Sequence, residues 1–340
     1  MRSVVYTSTG PSSVLHLTER EVPPVGPGEV RVKVAVSGVN PTDWKARAGT
    51  GNGADLGREL VPNQDGAGTV DAIGEGVMGF GVGDRVWVWD AAFNRDNGTA
   101  QEYVVLPSRQ VQPLPDHASF DDGASLGIPA LTAHRALTAS ESGPARLEPG
   151  ALRGHIVLVQ GGAGAVSHAA IQLAVWAGAT VITTVSGDEK AALARAAGAH
   201  HILNYKTEDV AARVREIAPG GANVIVEVSA AANLATDLDV VAANGTIAVY
   251  TSEGTTPLQV PARAAMTKNV RLQFILTYTT PTDVKDAAVA AVSSALADGA
   301  LRVGEEFGLP INRFPLEQTA AAHDSVEKNA VGKVLVDVAR

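Results

Sequence analysis

Two short stretches carry the residues best suited to chemistry. In the first, Gly161-Gly162-Ala163-Gly164 is a turn without bulk between an apolar, β-rich run at 156–160 and an Ala-rich helical pattern at 165–178. Backbone N–H groups at the start of such a helix, together with its aligned peptide dipoles, favour an anion such as a pyrophosphate. Gly162 and Gly164 followed by Ser167 approximate the three-glycine dinucleotide fingerprint, with serine in the third place. A plain tight turn between strand and helix fits the same letters. At the end of the next strand, Thr183-Thr184-Val185-Ser186-Gly187 precedes Asp188, Glu189 and Lys190. An NAD-selective site commonly places an acidic side chain there for the ribose hydroxyls, where it repels a 2′-phosphate. Ser186 and Lys190 can instead hold a phosphate, so the stretch reads as an NADPH site, unless Lys190 only decorates an exposed first turn.

The second stretch, Ser37-Gly38-Val39-Asn40-Pro41-Thr42-Asp43-Trp44, ends a strand. The Asn40 amide could stabilise negative charge developing on a carbonyl oxygen. It could equally pin a turn before Pro41. No Ser–His–acid set and no paired carboxylates stand out, and His134 and His168, on predicted helices, are expected to be core or surface residues. Little acid–base machinery is therefore expected. His200 and His201 would face opposite sides of a strand, and the other histidines are scattered, so no metal set is expected.

These stretches need elements to hold them. From 156 onward, strands at 156–160, 180–185, 201–203, 223–228, 246–250 and 271–277 alternate with helices at 165–178, 188–198, 207–217 and 231–242, which implies a parallel sheet wound on both faces. Before 125 the chain is β-rich. Runs at 30–36, 66–73, 84–89 and 103–106 are separated by Pro/Gly turns, as in a partly closed antiparallel sheet. A helix is predicted through Ile128 to Leu137. A last helix at 283–297 and a strand at 333–338 find no further βα unit to join. The expected division is a β-rich substrate domain of 1–125 and 281–340, and a Rossmann domain of 126–280.

Composition narrows the classes. A chain of 340 residues with 45% apolar and 19% charged residues is globular and long enough for two cores. Net charge is −9 without a Lys/Arg cluster, which argues against nucleic acid or an anionic membrane as partner. No signal-like or membrane-length apolar run occurs, so a cytoplasmic protein is expected. There is no cysteine, which excludes disulfides, thiolate catalysis and cysteine-ligated zinc or iron–sulfur clusters.

Further motifs bring a family into view. Gly38-Val39-Asn40-Pro41 with Arg47-Ala48-Gly49, Gly83-Asp84-Arg85-Val86, Gly98-Thr99-Ala100-Gln101-Glu102-Tyr103, and Gly127-Ile128-Pro129 are four of them. Others are Ala197-Gly198-Ala199 with Asn204-Tyr205, and Pro315-Leu316-Glu317 through Ala322-His323 to Gly332-Lys333. Over nearly its whole length the chain resembles the zinc-independent, zeta-crystallin-like quinone oxidoreductase branch of the medium-chain dehydrogenase/reductase superfamily. In zinc-containing relatives a metal-binding cysteine holds the position of Asn40, and an amide cannot replace that thiolate.

The resemblance implies a Rossmann domain beside a β-rich, GroES-like catalytic domain, with NADPH as cofactor. Ala163, Gly164, Ala165 and Val166 would line the pyrophosphate and nicotinamide approach. Ser186, Lys190 and Tyr205 would surround the 2′-phosphate. Ala231, the run Tyr250, Thr251, Ser252 and Glu253, and the run Leu276, Thr277 and Tyr278 would contact ribose and nicotinamide, and Lys328 sits where some relatives place a basic residue on the phosphate. Two departures, Ala165 and Ser167 for glycines, leave the strength of binding open. Asn40, Asp43, Gln64, Ile128 and Thr132 are the substrate candidates, in a cleft expected between the domains. Several relatives present a tyrosine near Gly51, absent here. The expected reaction is hydride or electron transfer from NADPH to a quinone, with solvent supplying the proton. Reduction of an enal or enone double bond is the neighbouring reading, and a redox-silent NADPH-binding sensor or structural protein the one of another class. A homodimer through the edge strand at 270–277 is expected, because that run is apolar and carries no proline.

Overall fold

The computed structural model describes residues 1–49, 53–141, 143–251 and 257–338, so Gly51, Ser252 and Glu253 lie outside the described residues. The chain divides into two compact units, Met1–Ile128 with Pro310–Arg340, and Pro129–Leu309.

The first unit is built on the strand Glu29–Val39. Val30, Val32 and Val34 alternate inward as a half-buried strand requires. Its antiparallel partners are Asp65–Ile73, Tyr103–Pro107 and Lys333–Asp337, within a seven-stranded sheet that also holds Ile311–Pro315, Arg85–Val88 and Val111–Pro113. Arg2–Ser8, His16–Glu19 and Asp55–Leu60 form a second, three-stranded sheet. The described strands make two open sheets of the GroES-like kind rather than a closed barrel. The helix Pro41–Ala48 gives no apolar periodicity, because the residues it buries are Asp43 and Arg47.

The second unit is a Rossmann sheet. Its six parallel strands run in the order His201–Asn204, Thr180–Val185, Ile156–Val159, Ala222–Glu227, Val241–Val249, Arg271–Phe274. That is the doubly wound order, reversing direction between the first and fourth strands. Every strand anticipated from the alternation is present. The fifth begins earlier than expected, at Val241, because the helix Ala230–Val240 passes into it without a loop. The sixth stops at Phe274 and gives way to a 3₁₀ turn, Thr277–Thr279.

Residues 281–309 belong with this second unit and not with the β-rich one, a correction to the sequence-based division. Thr282–Ala297 buries Ala288, Val289, Ala291, Val292, Ala295 and Leu296 there. The following segment is tied to helix Ala165–Trp176: His168 Nε2 donates to the Phe307 carbonyl at 2.8 Å, Gln172 Nε2 to that of Arg302 at 3.1 Å, and Trp176 Nε1 to Asp298 at 2.9 Å. Among the described residues no helix is long and apolar enough to cross a membrane.

His168 is buried, and burial pulls its pKa down to about 4 against the opposing hydrogen bond to Phe307. The unfolded chain takes up this proton near the ordinary histidine value of about 6.5. Stability is therefore lost as pH falls from that value towards 4, by about 1.4 kcal/mol per pH unit from this side chain. Urea unfolding at a series of pH values should give His168→Leu a shallower acid-side loss than the parent.

Candidate functional site

The phosphate turn lies where strand Ile156–Val159 meets helix Ala165–Trp176 in the second unit. Gly161 has φ +67°, a left-handed conformation that suits glycine. Its N–H donates to Thr184 Oγ1 at 3.1 Å, and Gly162 N–H donates to the Thr184 carbonyl at 2.9 Å. A Cβ on Gly162 would stand 2.2 Å from Thr183 Oγ1. Gly164, exposed at the helix N-cap, has open space before it: a Cβ there would meet nothing nearer than 3.5 Å. The first-turn N–H groups of Ala165 and Val166 are of the kind a helix leaves without internal partners. The turn is thus tight on its inner side and open on its outer side, the shape an anion needs.

Ser167, in the third glycine place, points inward. Its hydroxyl donates to the Gln160 carbonyl at 2.9 Å and accepts from Tyr250 OH at 3.2 Å, so it ties helix to strand. Ser167 is fully buried and serves the packing of helix on strand.

The other nucleotide candidates of this unit lie mostly at the C-terminal ends of its strands. Ser186 follows Thr180–Val185, Lys190 is in the first turn of Asp188–Ala196, and Tyr205, half exposed, follows His201–Asn204. Lys190 makes no ion pair among the described residues. Ala231 opens helix Ala230–Val240 with an exposed position, while Tyr250 and Thr251 follow Val241–Val249. Leu276, Thr277 and Tyr278 follow the sixth strand, where the buried Lys285 ammonium donates to the Thr277 carbonyl at 2.7 Å and fixes the turn. Lys328 belongs to the other unit, at the C-terminal end of helix Thr319–Glu327.

Sequence reasoning missed the acids of this unit. Glu227 closes the apolar strand Ala222–Glu227, and Asp237 lies inside a helix; both are fully buried. An acid directly after the apolar run Val224-Ile225-Val226 was the available signal.

In the first unit, Asn40, Asp43, Asp65 and Lys333 form a buried polar cluster. Asn40 Nδ2 donates to Asp65 Oδ2 at 2.8 Å, while Lys333 Nζ donates to Asn40 Oδ1 at 2.6 Å. Asp43 Oδ2 accepts the Asn40 backbone N–H at 2.7 Å, closing the start of helix Pro41–Ala48. Asp65 also accepts the Ile128 N–H at 2.9 Å, and a Cβ on Gly127 would lie 2.2 Å from Asp65 Oδ1. Burial raises Asp43 well above the usual carboxylate range, with Asp65 adding repulsion. Burial raises Asp65 to about 6 against the pull of Lys333, and burial lowers Lys333 against both acids.

Asn40 therefore both begins the helix and joins two charged groups. Gln64 faces elsewhere, its Oε1 accepting the Ala92 N–H at 3.0 Å. Thr132 lies in the second unit, on helix Gly127–Leu137. Of the five substrate candidates, Asn40, Asp43 and the Ile128 N–H meet in one cluster; Gln64 and Thr132 are not part of it. Asp65 and Lys333, which complete that cluster, carried their own signal as charges at the ends of apolar strands.

Comparison with known proteins agrees with this construction. Residues 26–116 match the "Alcohol dehydrogenase GroES-like domain" family and residues 165–294 the "Zinc-binding dehydrogenase" family. A quinone oxidoreductase of Sus scrofa is 30% identical over 337 residues, covering 98% of this chain and 96% of the relative. The chain belongs to the quinone oxidoreductase branch of the medium-chain dehydrogenase/reductase superfamily. A 2-haloacrylate reductase of Burkholderia sp is 30% identical, covering 95% of this chain and 94% of the relative. Among solved structures, a mycobacterial relative complexed with NADPH has TM-score 0.79 at 30% identity and 99% coverage of both chains. An NAD-dependent alcohol dehydrogenase has TM-score 0.82 at 28% identity and 100% coverage of both. These relatives make the chain an oxidoreductase.

Zinc, which one family description names, does not fit these residues. The chain has no cysteine, and among the described residues no group of three or more His, Asp or Glu could hold a metal. Position 40 bears an amide whose oxygen is taken by the Lys333 ammonium, a cation already in place.

Proposed function

We propose that this oxidoreductase is an NADPH-dependent quinone reductase. The observation that carries the reading is the pairing of an open phosphate turn with Ser186 and Lys190 at the end of the neighbouring strand, where an NAD-selective site would carry an acid. The NADPH complex of the mycobacterial relative supports it, and the NAD-dependent relative makes the dinucleotide the first thing to test.

When bound, the nicotinamide supplies the hydride. The Gly164–Val166 backbone would receive the pyrophosphate, and Ser186, Lys190 and Tyr205 the 2′-phosphate. Ala163 would border the turn; Ala231, Tyr250, Thr251 and the Leu276–Tyr278 run would border ribose and nicotinamide. The Asn40 amide is oriented by Lys333 and Asp65, which leaves one N–H to offer a quinone oxygen as it gains charge. With Asp65 and Lys333 engaged in the interior, the proton comes from solvent.

Absorbance decay of NADPH and NADH, measured in parallel with a para-quinone, an ortho-quinone and a conjugated enone, tests the reading. Rapid NADPH loss with quinones is the expected result. Preference for the enone would favour double-bond reduction, the second reading, to which the 2-haloacrylate reductase relative lends weight. Binding without turnover on any acceptor would leave a sensor. Lys190→Ala removes a charge-assisted contact of about 1.5–3 kcal/mol, so NADPH affinity should fall roughly tenfold to a hundredfold with NADH affinity unchanged. Equal losses for both dinucleotides would refute the role of Lys190.

We also infer a homodimer. Among the described residues Arg271–Phe274 ends the sheet and pairs only with Val241–Val249; it is flanked by exposed Leu276, with Phe274 itself exposed. Light scattering at micromolar concentration should give twice the chain mass.

A further inference from the structure

Beneath the phosphate turn runs a chain of buried polar groups that the nucleotide reading does not use. Gly161 N–H donates to Thr184 Oγ1, Thr184 Oγ1 donates to Gln160 Oε1 at 2.6 Å, and Gln160 Nε2 donates to Asp237 Oδ1 at 2.8 Å. Thr184, Gln160, Asp237 and Glu227 are all at least nine-tenths buried. Glu227 lies against Asp237 and accepts the Ser229 N–H and, at 3.2 Å, the Asn233 amide. Burial first and Glu227 second push the Asp237 pKa up to about 9, against the Gln160 hydrogen bond.

Each link has a fixed direction. The single Thr184 hydrogen goes to Gln160, which leaves the Thr184 oxygen to accept from Gly161. The Gln160 amide is held with its nitrogen toward Asp237, and its backbone carbonyl takes the Ser167 hydroxyl. The strand end, the turn and the first helical turn therefore share one register.

We propose that Asp237 is a positioning residue for the phosphate turn, acting through Gln160 and Thr184 on the Gly161 N–H to set the outward face that receives the dinucleotide. The inference rests on the nucleotide reading above. Asp237 is fully buried, so its loss would act on affinity at a distance. Removing the Asp237 carboxyl leaves Gln160 Nε2 without its buried acceptor and loosens the Thr184 hydroxyl that takes the Gly161 N–H.

The titratable groups around the pair are few. Glu227 faces Asp237 from its strand, and the Tyr250 hydroxyl approaches Glu227 from the end of Val241–Val249, with burial keeping it protonated. Helix Val210–Ile217 packs against the Asp237 helix but sets Arg215 against Asp239, and Lys268 donates to the carbonyls of Leu238, Asp239 and Val241. Both cations engage residues that follow Asp237 at the C-terminal end of the helix.

Fluorescence titration of NADPH onto the full chain at neutral pH tests the proposal. Asp237→Leu has no acceptor for Gln160 Nε2 and should bind about tenfold more weakly than the parent, the size of one or two lost hydrogen bonds, whereas Asp237→Asn keeps an acceptor and should recover the parental affinity. Thr184→Val keeps the side-chain shape but cannot accept the Gly161 N–H, and should bind about tenfold more weakly with an unchanged circular-dichroism spectrum. An Asp237→Leu variant of parental affinity, an Asp237→Asn variant that falls with it, or a Thr184→Val variant of parental affinity would each overturn the proposal. A parent that binds no NADPH removes the nucleotide reading itself, a result distinct from all three.

Discussion

Lys333→Met is expected to destabilise the β-rich unit by about 3–5 kcal/mol, the usual cost of removing one partner from a buried ion pair. The Lys333 ammonium is 2% exposed, 2.6 Å from Asn40 Oδ1, 3.3 Å from the Val39 carbonyl and 3.9 Å from Asp65 Oδ2. Methionine is unbranched and of similar volume though one atom shorter, so little of the loss would come from packing. What is lost is the positive charge beside two buried acids. Asp65 would keep the Asn40 amide and the Ile128 N–H, which cannot neutralise it. Chemical denaturation should show a lower midpoint at unchanged slope. Adding Asp65→Asn should recover much of the loss, because the double variant has neither charge to bury, and the non-additivity measures the coupling. A single-variant loss below about 1 kcal/mol would mean that the acids already carry the protons and that Lys333 contributes shape alone.

Gly162→Ala is expected to cost about 1–3 kcal/mol of stability and to weaken dinucleotide binding at least tenfold, since the added methyl overpacks a sheet-to-helix junction. The new Cβ would stand 2.2 Å from Thr183 Oγ1, and that hydroxyl donates to the Val159 carbonyl at 2.7 Å. Thr183 cannot withdraw without giving up a buried hydrogen bond, so the turn must move instead. Gly164→Ala is the contrasting variant. Its φ of −81° suits alanine and its Cβ would meet nothing nearer than 3.5 Å, so the fold should be unaffected. The methyl would occupy the outer face, however, and affinity should fall at unchanged melting temperature. Parallel thermal melts and NADPH titrations separate the two effects. If Gly164→Ala bound normally, the outer face of the turn would not be the dinucleotide surface.

The Rossmann unit was legible in the sequence because its parallel strands, buried on both faces, are nearly continuous apolar runs separated by helical stretches. The β-rich unit was legible only in part. Arg2–Ser8, His16–Glu19 and Asp55–Leu60 were not anticipated; the last two are short and largely exposed, so neither shows a clear alternation. The placement of 281–309 turned on the bonds from His168, Gln172 and Trp176, which join residues more than 120 positions apart and leave no local pattern. Asn40 had two readings from sequence, turn residue or polar contact; its backbone serves the first and its amide is committed largely to Asp65 and Lys333. The buried acids Asp65, Glu227 and Asp237 were the least visible, because a buried carboxyl is written with the same letter as one in solvent.

The β-rich unit is assembled from two separated stretches of chain, and this has a consequence for synthesis. Its central strand Glu29–Val39 leaves the ribosome long before Lys333–Asp337, the neighbour that closes one of its edges and delivers an ammonium to Asn40. The Rossmann unit, by contrast, is contiguous from Pro129 to Leu309 and can complete itself during translation. The nascent N-terminal sheet must therefore wait, with an open edge and two uncompensated buried acids, for the last few dozen residues. A ribosome stalled before Gly332 should display a protease-resistant Rossmann unit preceded by a cleavable N-terminal segment.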